Sequence, residues 1–223
     1  MHLAKATMEG SSFLGIFAKT NDHVTFLPRN AHEKLKRVCS EVLKTRIVTA
    51  TIANSNLLGI MSAMNSSGIV LPRTVYDSEV KFLEGEGFKT GVITDRRTAL
   101  GNNVLANDSA CLVNPAMSPR GVQEIKDCLD VEVIRGTIGG GKTVGGMAVV
   151  TNCGILTRTN VSDEELSFLE DVFKVKGTGG TANMGVPFVG LCMIANSNGF
   201  VAGEMTSGFE LGRIDEALGL IGR

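Results

Sequence analysis

The sequence predicts an α/β fold in which five strand-strand-helix repeats close into a ring, a propeller with five-fold pseudo-symmetry. Three observations carry this expectation. Leu-Gly or Val-Gly recurs at Leu14-Gly15, Leu58-Gly59, Leu100-Gly101, Val144-Gly145 and Val189-Gly190, in steps of 44, 42, 44 and 45 residues. After each dipeptide comes the same succession of apolar run, polar turn, second apolar run and helical stretch. Five such units fill the 223 residues with no linker, charge block or low-complexity tract. A unit of about 44 residues buries too little apolar surface to stand alone, so the units must pack on one another. The two ends lack the polar capping units that an open stack needs, which favours closure. The chain therefore reads as one domain over 1–223, with repeats near 1–44, 45–88, 89–130, 131–174 and 175–223.

Each unit opens on its dipeptide, which is assigned to the strand leading into the turn. The turns are Asn21-Asp22-His23, Asn65-Ser66-Ser67-Gly68, Asn107-Asp108-Ser109, Asn152-Cys153-Gly154 and Asn196-Ser197-Asn198-Gly199. Asn opens every one, and its side chain bonds nearby backbone, which is hairpin chemistry. The second strands run over 24–27, 68–71, 110–113, 154–156 and 199–202, and Pro28, Pro72 and Pro115 stand where three of them stop. Helices follow on spacings of three and four: Leu35, Val38 and Val42; Val80 and Leu83 with Phe82; Val122, Ile125 and Leu129; Leu166, Leu169, Val172 and Phe173; Leu211, Ile214 and Leu218. Ser162 with Glu165 and Ser207 with Glu210 spell capping boxes, and Ser118-Pro119 spells a cap followed by proline at the first helical position. A further strand follows each of the first four helices, as at 46–50 and 131–134.

Composition narrows the function. No stretch approaches the roughly 18 apolar residues of a membrane span, and no signal peptide opens the chain, so a soluble cytoplasmic protein is expected. The five cysteines, at 39, 111, 128, 153 and 192, are widely spaced and mostly inside apolar runs; they read as small buried hydrophobes, with no zinc or redox spacing among them. Net charge is −1 and there is no Trp, which argues against binding nucleic acid by counterion release. Charge is uneven along the chain. Arg29, Lys34, Lys36, Arg37, Lys44 and Arg46 face only Glu33 and Glu41 over 29–46, whereas the last 64 residues carry nine acids and four bases. These read as solvated helix faces.

Two motifs look chemical. Gly136-Thr137-Ile138-Gly139-Gly140-Gly141-Lys142-Thr143 matches the phosphate-binding loop and follows a strand-like run. It leads, however, into glycine-broken, β-branched sequence where that motif requires a helix N-terminus. It is expected to be a flexible inter-strand loop, with Gly177-Thr178-Gly179-Gly180-Thr181 in the matching place of unit five, and no free nucleotide is expected to bind. The second motif is nucleophilic. Rings of five such units resemble the pentein fold, whose amidinotransferases and deiminases attack guanidino groups with a Cys thiolate, a His and carboxylates. Here the three histidines are His2, His23 and His32, and none follows residue 32. Cys192 lies in Leu191-Cys192-Met193-Ile194, a setting that raises its pKa. A guanidino-modifying enzyme with a Cys nucleophile is thus the alternative reading, and a disfavoured one. No metal cluster or cofactor site is visible.

The remaining distinctive material is polar and lies beside the dipeptides: Asn54-Ser55-Asn56, Arg96-Arg97-Thr98, Asn102-Asn103, Asn183 and Asn196-Ser197-Asn198. In a ring, equivalent loops share one face, and Asn and Arg suit a specific, wet interface.

Against this background the chain resembles the archaeal and eukaryotic translation initiation factor 6 family, the ribosome anti-association factors, over its whole length. The matching segments are Phe17-Ala18-Lys19, Gly68-Ile69-Val70-Leu71-Pro72, Thr98-Ala99-Leu100-Gly101-Asn102 with Asn107-Asp108, Val131-Glu132-Val133 and Ala195-Asn196-Ser197-Asn198-Gly199-Phe200. The resemblance implies a five-unit pentein ring, no enzymatic activity and no cofactor. It implies a factor that binds the large (50S) ribosomal subunit, chiefly ribosomal proteins near the sarcin–ricin loop, and bars the small (30S) subunit by occupying space. A monomer is expected. The family's binding face points to Asn102 first, then Arg96, Asn56, Ile60 and Asn103. Ile60 stands where many eukaryotic relatives carry a basic residue, and the chain lacks their longer tail.

Overall fold

The computed structural model describes residues 2–222. Its elements repeat five times. Unit one holds α1 (Leu14–Phe17), β2 (Lys19–Thr20), β3 (Val24–Pro28), α2 (Glu33–Leu43) and β4 (Arg46–Ala50), after a first strand β1 (Leu3–Ala6). Unit two holds α3 (Leu58–Met61), β5 (Ala63–Met64), β6 (Ile69–Pro72), α4 (Asp77–Gly85) and β7 (Thr90–Ile93). Unit three holds α5 (Leu100–Asn103), β8 (Val104–Ala106), β9 (Ala110–Val113), α6 (Pro119–Leu129) and β10 (Glu132–Arg135). Unit four holds α7 (Val144–Met147), β11 (Ala148–Val150), β12 (Gly154–Arg158), α8 (Asp163–Phe173) and β13 (Lys176–Gly180). Unit five holds α9 (Val189–Cys192), β14 (Met193–Asn196), β15 (Gly199–Gly203) and α10 (Gly208–Ala217).

Five three-stranded sheets result, each an antiparallel hairpin with a parallel third strand. The third strand of the fifth sheet is β1, which pairs parallel to β15 with Leu3 opposite Phe200. The N-terminal strand thus belongs to the last sheet and not to the first unit.

The dipeptides do not lie in strands, as the sequence reading has them. Each opens a helix of four residues. Their glycines explain the period. A methyl group on Gly59 would overlap the carbonyl oxygen of Gly15, one on Gly101 that of Gly59, one on Gly145 that of Gly101, one on Gly190 that of Gly145, and one on Gly15 that of Gly190. The five short helices therefore touch in cyclic order, backbone against backbone, where only glycine fits.

The polar turns form a second cycle. Asn65 Oδ1 accepts from the amides of Ser67 and Gly68 (3.0 and 3.2 Å), and its Nδ2 donates to the carbonyls of Asn107 and Leu129 in unit three (3.3 and 2.8 Å). Asn107 bonds Thr151 and Phe173 of unit four in the same way, and Asn196 bonds Asn21 and Leu43 of unit one. One amide closes its own turn and ties its unit to the next. In unit four the residue in this role is Thr151, whose hydroxyl accepts from Cys153 and Gly154. Asn152, read from sequence as the opener, stands one place further on.

The core is divided among the seams. Val24, Phe26 and Val48 of unit one pack with Ile52, Leu58, Ile69 and Leu83 of unit two. Leu105 and Leu112 of unit three pack with Val144, Ile155 and Phe173 of unit four, and Ile194 and Val201 of unit five pack with Leu14, Leu27 and Leu35 of unit one. The longer helices start where the caps predict: Ser118 accepts from Gly121, Ser162 from Glu165 and Ser207 from Glu210. Of the two boxes the sequence spells, Ser207's is completed and Ser162's is not, because Glu165 directs its carboxylate elsewhere. Leu83 is the buried residue of α4, and Phe82, read with it as apolar face, is exposed.

Candidate functional site

The ring has two ends. At one lie the turn residues Asp22, Ser66, Asp108, Asn152 and Ser197, cross-bonded through Asp22 and Asp108. At the other lie the four-residue helices and the tight turns before them. Isolated bridges close those turns at Met8–Ser11, Ile52–Ser55, Ile138–Gly141 and Ala182–Val186.

A carboxylate from the following long helix grips several of these turns. Glu79 accepts from the amides of Ala53 and Asn54 (2.8 and 3.0 Å) and from the Thr51 hydroxyl (2.7 Å). Both turn residues have positive φ, 53° and 56°. Glu210 repeats this on Gly185, Met184 and Thr181. Burial acts to raise the Glu210 carboxyl, but amides of Ser207 and Gly185 and hydroxyls of Thr181 and Ser207 outweigh it and hold it at about 2.

The phosphate-loop-like segment is unit four's copy of such a turn. Gly139 and Gly140 take φ of 55° and 73°, and the Gly139 amide donates to Glu165 at 2.8 Å. A phosphate there would displace a carboxylate already in place and meet its charge. The helix beyond, α7, has four residues and is fully buried. The segment is therefore a gripped turn rather than a flexible loop. Its counterpart in unit five is 182–186, since Gly177–Gly180 lies in β13.

In unit three the grip differs. Asp95 accepts from the amides of Arg97 and Ser118 (2.9 and 2.7 Å) and pairs with the Arg97 guanidinium at 3.0 Å. Burial works against the carboxylate, and those bonds hold Asp95 at about 2. Arg97 is thereby spent. Arg96 beside it is exposed and makes no hydrogen bond or ion pair among the described residues.

Four residues singled out from sequence share this end: Asn56 after the unit-two turn, Ile60 in α3, Arg96 in the unit-three turn and Asn102 in α5, with α3 against α5. Asn102 is half-buried; its Oδ1 is shielded from solvent and has no donor among the described residues. Asn103 stands behind the surface. It is buried, donates to the Ala99 carbonyl at 2.7 Å and accepts from Asn114 Nδ2 at 2.7 Å. Sequence reasoning missed an apolar contribution. Leu57 and Phe188, the residues before two of the short helices, are 38% and 40% exposed, and Met184 in the unit-five turn is 74% exposed. The signal was available, because the residue before four of the five dipeptides is Phe13, Leu57, Ala99 or Phe188.

Nucleophilic chemistry finds little support. Cys192 is buried, donates to the Phe188 carbonyl, and is pushed by burial to about 12. His2 bonds Asp215, and His32 caps α2 through Nδ1. Among the described residues no group of His, Cys, Asp and Glu is placed to hold a metal ion, and no helix is long and apolar enough to cross a membrane.

Comparison with known proteins decides the family. The model of the eIF-6 family matches residues 3–217. The chain belongs to the eIF-6 family. Among curated relatives, the translation initiation factor 6 of Pyrococcus abyssi is 43% identical over 99% of this chain and 100% of its own length. That of Picrophilus torridus is 41% identical over 97% and 99%, and that of Methanosarcina mazei 41% over 95% of each. Members of the eIF-6 family have the pentein fold, and these names indicate a translation initiation factor, not an enzyme. A solved structure of DDAH from Pseudomonas aeruginosa complexed with citrulline is also similar, at a TM-score of 0.44 and 9% identity over 92% of this chain and 74% of that one.

Proposed function

We propose that this eIF-6 family member binds the large ribosomal subunit through the short-helix end of units two and three, and keeps the small subunit away by occupying its place. The observation that carries the reading is the end-to-end relation to proteins named translation initiation factor 6. The partners are ribosomal proteins near the sarcin–ricin loop, and the factor acts as a cytoplasmic monomer without nucleotide. A steric block requires only an adequate interface, on the order of 800 Å² per partner. Arg96, unspent within the chain, supplies directional contacts, with the half-buried Asn102, Asn56 and Ile60 beside it and Asn103 holding α5 from behind. Exposed Leu57 adds apolar area. The near-neutral charge suits a contact made mostly to protein.

The guanidino-modifying alternative has the fold in its favour, but Cys192 is a neutral buried thiol with no histidine paired to it among the described residues. The test is sedimentation with separated subunits. The protein should travel with large subunits and not small ones, and should lower the yield of joined ribosomes when added first. Recovery at the top of the gradient at low salt would overturn the reading.

A further inference from the structure

The inner strands of all five units surround a channel of about 60 Å³ on the ring's axis. That is room for a few water-sized species and far too little for a nucleotide. Lys19, the second residue after α1, lines it. Its counterparts in the other units are Ala63, Leu105, Val149 and Ile194, so four of the five equivalent positions are apolar. Lys19 is the only ionisable residue among those lining the channel. The strands packed against β2 are β3, β5 and β14, and none carries a titratable residue. Thr20 beside it commits its hydroxyl to Asn21, Val24 and Thr25. The carboxylates at the turn end, Asp22 and Asp108, are held by Ser197, Ser66 and Asn152. Lys19 itself makes no hydrogen bond or ion pair among the described residues.

We propose that the axial channel binds one small monovalent anion, of the size of chloride or formate, paired with the Lys19 ammonium. An ammonium in apolar surroundings is costly until a counter-charge or hydrogen-bond acceptors reach it. Burial lowers Lys19 to about 8, which leaves it largely protonated at neutral pH. No carboxylate lines the channel, so the counter-ion comes from solution. Its charge is single because the cation is single. Its size is set by the volume, which admits a halide or a one-carbon carboxylate and excludes phosphate esters. A guanidinium would be repelled, so this channel is not a remnant of a guanidino-binding pocket. The site stands apart from the ribosome-binding reading and does not depend on it.

Full-length protein with isotope-labelled lysine is titrated by NMR in sodium gluconate, sodium chloride and sodium formate at matched ionic strength, gluconate being too large to enter. In gluconate one lysine titrates near 8, and Lys19→Met removes that signal. Chloride or formate moves the midpoint upward by roughly half a pH unit or more, a threefold gain in proton affinity; the arm with the larger movement tells a halide site from a carboxylate site. Melting at neutral pH supplies the second readout: the small anion raises the midpoint of the wild type and of Lys19→Arg, which keeps the charge, and leaves Lys19→Met unmoved. An unchanged Lys19 midpoint in all three salts overturns the proposal, as does equal anion stabilisation of Lys19→Met. Should Lys19→Met fail to fold, the wild-type titration and Lys19→Arg melting decide it.

Discussion

Asn152 of unit four donates through Nδ2 to Asp22 of unit one, 130 positions earlier, at 2.9 Å, and to Asp108 of unit three at 2.7 Å. One neutral amide thus holds two carboxylates apart at the turn end. Asn152→Asp sets a third negative charge between them. The expected loss is about 1 kcal/mol, modest because the group is exposed, and it shrinks in high salt and as pH falls below the carboxylate range. Urea unfolding at two salt concentrations checks it, and a salt-independent loss would mean that the bond matters only for its geometry.

Gly101→Ala is expected to be far worse. The added methyl meets the carbonyl oxygens of Gly59 and Ser62, which are backbone and cannot step aside. A destabilisation above about 3 kcal/mol follows, or no soluble protein at all. Gly212→Ala, with nothing within 4 Å, is the matched control and should be neutral or slightly stabilising.

Acid sensitivity comes from Glu210 and Asp95. Their ordinary values are 4.5 and 3.8, and both sit at about 2 in the fold. A depressed carboxyl contributes its full stability above its ordinary value and loses it as pH falls through the folded one. Glu210→Gln should therefore cost about 2–3 kcal/mol at pH 7, with the gap to wild type narrowing steadily below pH 5 and nearly gone by about pH 2. Melting midpoints across that range measure it.

Lys142→Ala should leave stability and function as they are. Lys142 is exposed, and the turn beside it has its Gly139 amide bonded to Glu165. Equilibrium dialysis should find no ATP or GTP bound to either form; nucleotide retained by wild type and lost in the variant would contradict the turn assignment.

On the proposed ribosomal face, Arg96→Glu and Asn102→Asp should each weaken co-sedimentation with large subunits by on the order of tenfold, Arg96→Glu at unchanged melting temperature and Asn102→Asp with some loss of stability, because its Oδ1 is shielded and has no donor among the described residues. Asn103→Ala should act differently, lowering stability first, since its amide bonds Ala99 and Asn114. Full binding by both surface variants would move the interface elsewhere on the ring.

The repeat was legible because its two signals answer to backbone geometry. Gly15 and its four counterparts are required by the carbonyl of the neighbouring unit, and Asn21, Asn65, Asn107 and Asn196 by a turn whose amide faces the next unit. The helix state of 14–17 was hidden, since four residues make barely one turn and periodicity needs several. Thr151 was missed because a hydroxyl takes only half of the Asn role. The grips of Glu79 and Glu210 span 25 to 29 positions and leave no local pattern. For the candidate face, sequence proposed loops that share one end of the ring but not which of their side chains turn outward. Asn102 and Asn103 are adjacent in α5, yet one is half-buried and the other is buried and braces Asn114.

The pairing of β1 with β15 also orders events during synthesis. Leu3 leaves the ribosome long before Phe200 exists, so the first strand waits, unmatched, until the final sheet has been translated. The closing seam is accordingly the last to form, and every earlier intermediate exposes two ragged edges. Transplanting 1–6 to the far end by circular permutation would make all five sheets local in sequence, leave the Met8–Ser11 turn intact and let the ring zip in the direction it is made.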